Sequence, residues 1–244
     1  MPPLKPPAAV LPAPALAPTL GRARRDAMAL GLALLALLAW DQTGFDRPLA
    51  QLYGNAAGFA WRDHWLTAGL MHEGVRRAVW VVFAGLLLWT FRPGPLMRTV
   101  PVRERVWWLA VTLGCAMLIP LLKRASATSC PWSLAEFGGG LATYVSHWAL
   151  GVRDGGPGGC FPSGHASSAF AFLAGWFVWR DRAPRLARLW LGLVLVVGLA
   201  AGWSQMMRGA HYASHTLWTA WICWAFTAAT HHASLARRLA PARR

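Results

Sequence analysis

Cys160-Phe161-Pro162-Ser163-Gly164-His165 leads into Ala166–Trp179, a run with no charged residue. The run has the composition of a buried or membrane helix, and Ser163-Gly164 stands at its amino end, where the first N–H groups lack intrahelical partners. Outward from this stretch the chain repeats one theme. Apolar segments occur at Ala27–Trp40, Ala78–Phe91, Val106–Leu122, Leu189–Met207 and Thr216–Thr230, six with Ala166–Trp179. Segments of about 14 residues also suit buried core helices, and a full span wants roughly 20. The charges between the segments therefore decide the reading.

Of the 244 residues, 56% are hydrophobic and 14% charged, with 24 Lys+Arg against 9 Asp+Glu and a formal charge of +15. A soluble domain carries about a quarter charged residues, so an ordinary soluble enzyme is disfavoured. Disorder is excluded, because a disordered chain is poor in apolar residues. The arginines fall in alternate gaps: Arg22/Arg24/Arg25, Arg92/Arg98/Arg103/Arg105, Arg180/Arg182/Arg185/Arg188 and Arg237/Arg238/Arg243/Arg244. They make no single basic patch for nucleic acid. The positive-inside rule instead puts these gaps and both termini in the cytoplasm. Trp40, Trp89, Trp107, Trp108, Trp179 and Trp190 lie near segment ends, at the depth where indoles meet headgroups. The outside segments are then Asp41–Arg77, Lys123–His165 and Ser204–His215. Within the first, Phe59–Val75 reads either as a helix on the membrane surface or as a linker helix packed on the bundle. Residues 1–21, rich in Pro and Ala, read as a mobile tail ahead of one membrane domain, 22–244, and not as a signal peptide.

The chemistry lies in the last two outside segments. Lys123 ends the third helix, Ser163, Gly164 and His165 open the fourth, and Arg208, His211 and His215 cluster between the fifth and sixth. A helix N-terminus with a glycine that admits close backbone approach cradles an anion. Lys123 and Arg208 supply cationic donors for phosphate oxygens. His165 and His211 can divide acid and nucleophile or base roles near neutral pH. The set suits phosphoryl transfer. His211 and His215, four apart, also have the spacing of metal ligands, but no H-E-x-x-H or third ligand accompanies them. His64, His72, His231 and His232 have no motif around them, and Arg124 is a further candidate for headgroup contact.

These residues resemble the type 2 phosphatidic acid phosphatase family, which shares its fold with vanadium haloperoxidases and carries the motifs K-x6-R-P, P-S-G-H and S-R-x5-H-x3-D. The second stands intact as Pro162–His165. The first appears as Lys123 with Cys130-Pro131, so Cys replaces Arg. The third appears as Ser204-Gln205, His211 and His215, so Gln replaces Arg and His replaces Asp. The resemblance implies an all-α, six-helix membrane bundle with its active site at the outer face of a bacterial-type inner membrane. It implies a lipid phosphate phosphatase with no cofactor and no metal. His211 would attack phosphorus, His165 would protonate the leaving alkoxide, and Lys123, Ser163 and the Gly164 N–H would hold the phosphoryl oxygens. Phosphatidic acid, phosphatidylglycerophosphate, undecaprenyl diphosphate and the phosphates of lipid A are all permitted. A phosphotransferase with another acceptor, or a lipid-binding protein with a decayed site, remains open. A haloperoxidase is disfavoured by the six apolar segments.

The departures set further expectations. Arg208, three residues after Gln205 on one helical face, would supply the missing guanidinium. His215, four after His211 on a continuous helix, would accept the Nδ1–H of His211; alternatively Glu73, Glu136 or Asp154 supplies a carboxylate from a loop. Cys115 and Cys223 lie within apolar runs as buried small side chains. Cys130 and Cys160 flank the motifs and would form a disulfide in an oxidising periplasm.

Overall fold

Apolar runs punctuated by glycine and proline become helices in the computed structural model, which describes residues 16–140, 143–149 and 151–239. In chain order the elements are α1 (Leu16–Thr43), α2 (Asp46–Gln51), β1 (Gly54–Asn55), β2 (Gly58–Phe59), α3 (Val75–Phe91), α4 (Pro95–Arg98), α5 (Val102–Ala125), α6 (Gly164–Phe170), α7 (Ala174–Trp179), α8 (Pro184–Met207) and α9 (Ala213–Leu239). The two strands form a minimal antiparallel ladder, Gly54 opposite Phe59 and Asn55 opposite Gly58. A π-helical stretch, Trp65–Gly74, runs directly into α3.

Among the described residues, three helical stretches are long and apolar enough to cross a membrane: Trp65–Phe91, Val102–Ala125 and Pro184–Met207. Their outer faces expose Val81, Leu88, Leu121, Leu189 and Val196. A continuous apolar surface of this kind is stable against lipid and not against water. The chain is a helical membrane protein.

Three local expectations change. α1 begins at Leu16, so residues 16–21 of the expected tail are helical, while residues 1–15 of it lie outside the described residues. Phe59–Val75 is not a separate surface helix. Trp65–Gly74 forms the first turns of one 27-residue helical stretch that continues through α3. The segment after Gly164 is not one regular helix either, because a 3-10 turn, Ala171–Leu173, separates α6 from α7.

The α6–α7 segment is the centre of the packing. Ala166, Phe170, Leu173, Ala174 and Val178 are all buried, and the core around them draws on α3, α5, α8 and α9. A helix that is apolar all round belongs in such a place. α8 approaches it so closely that a Cβ on Gly198 would sit 2.3 Å from the Phe170 ring. A second, smaller cluster of Ala50, Phe59, Leu134, Phe137 and Tyr212 caps one end of the bundle. Here α2 holds the start of α9: the buried Asp46 carboxylate accepts the Ser214 N–H at 3.0 Å and the Ser214 hydroxyl, a negative charge at a helix N-terminus.

Ion pairs tie the other end. Arg180 donates to both oxygens of Asp26, at 3.1 and 2.8 Å, and His232 Nε2 lies 2.9 Å from the same carboxylate. Glu104 pairs with Arg182 at 2.8 Å and with Arg238 at 3.5 Å, and Arg22 pairs with Asp181. Arginines from three of the alternate gaps, with Glu104 from the fourth, therefore meet at one end, opposite the motif residues.

Candidate active site

The site is assembled from element ends. α8 stops at Met207, and Gly209 takes a left-handed conformation at φ 74°. In this turn the Gly209 N–H donates to Met206 O at 2.9 Å and the Ala210 N–H to Gln205 O at 2.8 Å, which satisfies carbonyls at the helix end. A Cβ at position 209 would fall 2.3 Å from the Phe59 ring, so both conformation and space require glycine. The turn delivers His211 two residues before α9 begins. His211 is 1% exposed. Burial first, and then the neighbouring His215, Lys123 and His165, hold its imidazole well below the usual histidine range; the Cys160 backbone carbonyl acts weakly the other way. The ring is uncharged at neutral pH, which leaves one nitrogen with a free lone pair.

Ser163 caps α6 from a fully buried position reached through a cis Phe161–Pro162 bond. Its N–H donates to His215 O at 3.2 Å and its carbonyl accepts from Thr219 Oγ1 at 3.0 Å, so backbone and α9 fix the cap between them. Ser163 Oγ and His165 Nδ1 are buried without a hydrogen-bond partner among the described residues. Leaving such groups unpaired costs about 1–3 kcal/mol each, so both suit a polar ligand. Lys123, in the last turn of α5, lies beside this helix start: a Cβ on Gly164 would be 3.9 Å from Lys123 Cδ. His165 stands just ahead of the apolar run. Burial, followed by His72, Lys123 and Arg208, lowers its pKa to about 4. The His165 and His211 ring centroids are 6.2 Å apart.

The third motif takes a different shape from the one expected. Arg208 does meet Gln205: its Nη1 donates to Gln205 Oε1 at 3.3 Å, while its Nε donates to Arg62 O at 2.7 Å. His215 does not receive the His211 proton. The helix is interrupted between Met207 and Ala213, so the two histidines do not share a continuous helical face, and no hydrogen bond joins them. His215 is buried behind His211, among Phe161, Tyr212 and His147, and its Nδ1 has no partner among the described residues. The loop carboxylates are engaged elsewhere. Glu136 pairs with Arg47 at 2.7 Å, Asp154 accepts from Ser129 Oγ at 2.7 Å, and Glu73 pairs with His72 at 3.0 Å and with Arg76. Arg124 is exposed at the end of α5.

Cys130 and Cys160 are joined by a disulfide with a Cα–Cα distance of 5.1 Å. Backbone bonds run alongside it, from Gly159 N–H to Ser126 O at 2.8 Å and from Cys160 N–H to Thr128 O at 2.9 Å. The first motif loop is thereby zipped to the segment before Ser163. Ligand atoms of Cys130, Cys160 and His211 lie within 4.8 Å of one another, the spacing of a metal site. Metal ligation needs thiolates, and bonded sulfurs offer none.

One residue of the site carried no sequence signal. His72, from the π-helical stretch, packs its ring on His165 with centroids 4.2 Å apart. Nothing in the local sequence marks it, because the contact joins residues 93 positions apart. His72, His165, His211, Lys123 and the buried helix start thus converge at one end of the bundle.

A model of the PAP2 superfamily matches residues 105–239, more than half of the chain and all three motif regions. No curated protein and no solved structure matches it.

Proposed function

The chain belongs to the PAP2 superfamily, and from that premise we propose that it is a metal-independent phosphatase of membrane lipid phosphates, either phosphomonoesters or diphosphates. The observation that carries this reading is the pair of imidazoles, His211 buried and His165 half-buried, with ring centroids 6.2 Å apart. That spacing leaves room for one phosphorus with an attacking nitrogen on one side and a leaving oxygen on the other.

His211 Nε2 attacks phosphorus as the bond from phosphorus to the lipid oxygen breaks. The leaving alkoxide takes a proton from His165, and the lipid departs as an alcohol or as a shortened phosphate. Water then gives a proton back to His165 and its oxygen attacks the phosphohistidine, releasing inorganic phosphate and restoring His211. Lys123, Ser163 Oγ, the Gly164 N–H and Arg208 bind the phosphoryl oxygens, most strongly where charge accumulates in the transition state. The remaining guanidinium nitrogen of Arg208 serves this role while Gln205 and the Arg62 carbonyl hold the other two.

A lipid substrate is supported by a groove of about 280 Å³ between α3, α6 and α8, with no polar lining. Ala169, one turn along α6 from His165, lines it together with Val75, Ala78, Phe172 and Val194. On this reading the groove receives the chain of the leaving lipid alcohol. A bundle of six spans, with both termini cytoplasmic and the site at the outer face of the inner membrane, is supported by the arginine clusters at the far end.

The test is phosphate release by the purified, detergent-solubilised protein from phosphatidic acid and undecaprenyl diphosphate, with chelator present. Wild type is expected to release phosphate and His211→Ala to lose at least about 10³-fold of the rate. Release that persists in His211→Ala removes the phosphohistidine route.

A further inference from the structure

The nucleophile has an orientation problem. Attack by Nε2 requires that the proton of the neutral ring sit on Nδ1, and a partner on Nδ1 selects that tautomer. Among the described residues no carboxylate bonds to His211. Asp46 is taken by Ser214, and Asp41 accepts from Trp148 and Trp218 Nε1 at 2.8 and 2.9 Å. Glu73, Glu136 and Asp154 are committed as described above. Among the described residues the one side-chain atom within hydrogen-bonding range of His211 Nδ1 is Cys160 Sγ, at 3.6 Å, and the backbone carbonyl of the same cysteine also bears on the ring. The same sulfur touches the Ala210 carbonyl oxygen at 3.1 Å, so it bears on the residue before the histidine as well as on the ring. Cys160 is fully buried, and its position is fixed by the bond to Cys130 and by the paired backbone around it.

We propose that the Cys130–Cys160 disulfide is the positioning group of the nucleophile, accepting the His211 Nδ1–H and holding Nε2 toward the phosphoryl group. This rests on the phosphohistidine reading of the same site. A divalent sulfur is a weak, neutral acceptor. It fixes the tautomer without adding the negative charge by which a carboxylate makes an imidazole more basic. It also couples catalysis to the oxidation state of the chain. A dithiol reductant delivers two electrons and two protons and becomes a cyclic disulfide, while Cys130 and Cys160 become thiols. The two sulfurs then separate to non-bonded contact, and Cys160 acquires an S–H that competes for the ring nitrogen.

The experiment compares the oxidised protein, the same protein reduced with dithiothreitol, and Cys130→Ala/Cys160→Ala. Chelator is present throughout, so that freed thiols do not capture a metal with His211. Peptide mapping without reductant is expected to find the 130–160 cross-link. Selective ¹⁵N-histidine spectra, assigned with His211→Ala, are expected to report the Nδ1–H tautomer in the oxidised protein and a mixture after reduction. The kcat for lipid phosphate is expected to fall by about tenfold or more with KM changed less than about threefold, and to return on reoxidation. Free thiols in the oxidised preparation would overturn the proposal, as would an unchanged His211 tautomer and full kcat after reduction. Should the double variant fail to fold, reversible reduction of the folded protein still decides. The tautomer readout is independent of turnover: a tautomer change in a protein that releases no phosphate removes the phosphatase reading and leaves the positioning role standing.

Discussion

At the scale of single residues, the two imidazoles are tuned in the same direction with different consequences. In the proposed mechanism a depressed pKa favours His211, which must be unprotonated, and works against His165, which must hold a proton when the alkoxide leaves. With His165 near 4 in the free enzyme, the proton must arrive with the substrate. A phosphate monoester loses its second proton near pH 6. A bound monoanion passes this proton to His165, whose basicity rises beside the phosphoryl charge. The kcat/KM for a monoester is therefore expected to fall as pH rises through about 6–7, and a profile that stays flat to pH 9 would count against this proton route. Arg208→Ala is expected to lower kcat/KM by about 10- to 100-fold, the worth of a charge-assisted hydrogen bond to phosphate. Gln205→Ala should cost less, because the Arg62 carbonyl still holds the guanidinium. Full activity in Arg208→Ala with a large loss in Gln205→Ala would reverse these roles.

At the scale of elements, helix starts and stops place the chemistry, and helix faces supply the fit. The π-helical turns before α3 widen the local spiral and bring His72 onto His165. One turn further on, α3 forms the outer wall of the apolar groove. Ala78 is exposed on that wall, so Ala78→Trp fills the groove without disturbing the core. Hydrolysis of a long-chain lipid phosphate is expected to fall about tenfold or more against a water-soluble short-chain phosphate. Equal effects on the two substrates would detach the groove from catalysis. The contact of α6 with α8 leaves little room for a side chain. Gly198→Val is expected to destabilise by about 1–3 kcal/mol through overpacking against Phe170, read as a lower unfolding temperature in detergent.

At the scale of the whole molecule, the two ends divide the work. One end carries the candidate active site under its small aromatic cap. The other is a set of ion pairs joining α1, α5, α9 and the turn between α7 and α8, with Arg180 and Asp26 at its middle, their side chains 9% and 14% exposed. Removing one partner strands a largely buried charge, so Asp26→Ala is expected to cost about 3 kcal/mol of stability with kcat/KM unchanged. Loss of catalytic efficiency in the folded variant would instead couple the ends. Helix-forming runs, the alternation of arginines and the P-S-G-H helix start are short-range properties, and the amino-acid sequence alone determined them: uncharged runs bury, glycine and serine begin helices, and arginine stays at the interface. The pairing of Cys130 with Cys160 was legible for a similar reason, because both flank motif residues in one loop. The partner of His211 Nδ1, the place of His72 and the engagement of Asp46 with the start of α9 were decided only by the tertiary structure. Each depends on which atoms of distant segments arrive within hydrogen-bonding or van der Waals range, and a break of five residues between α8 and α9 was enough to take His211 off the helical face of His215 and set it against a sulfur.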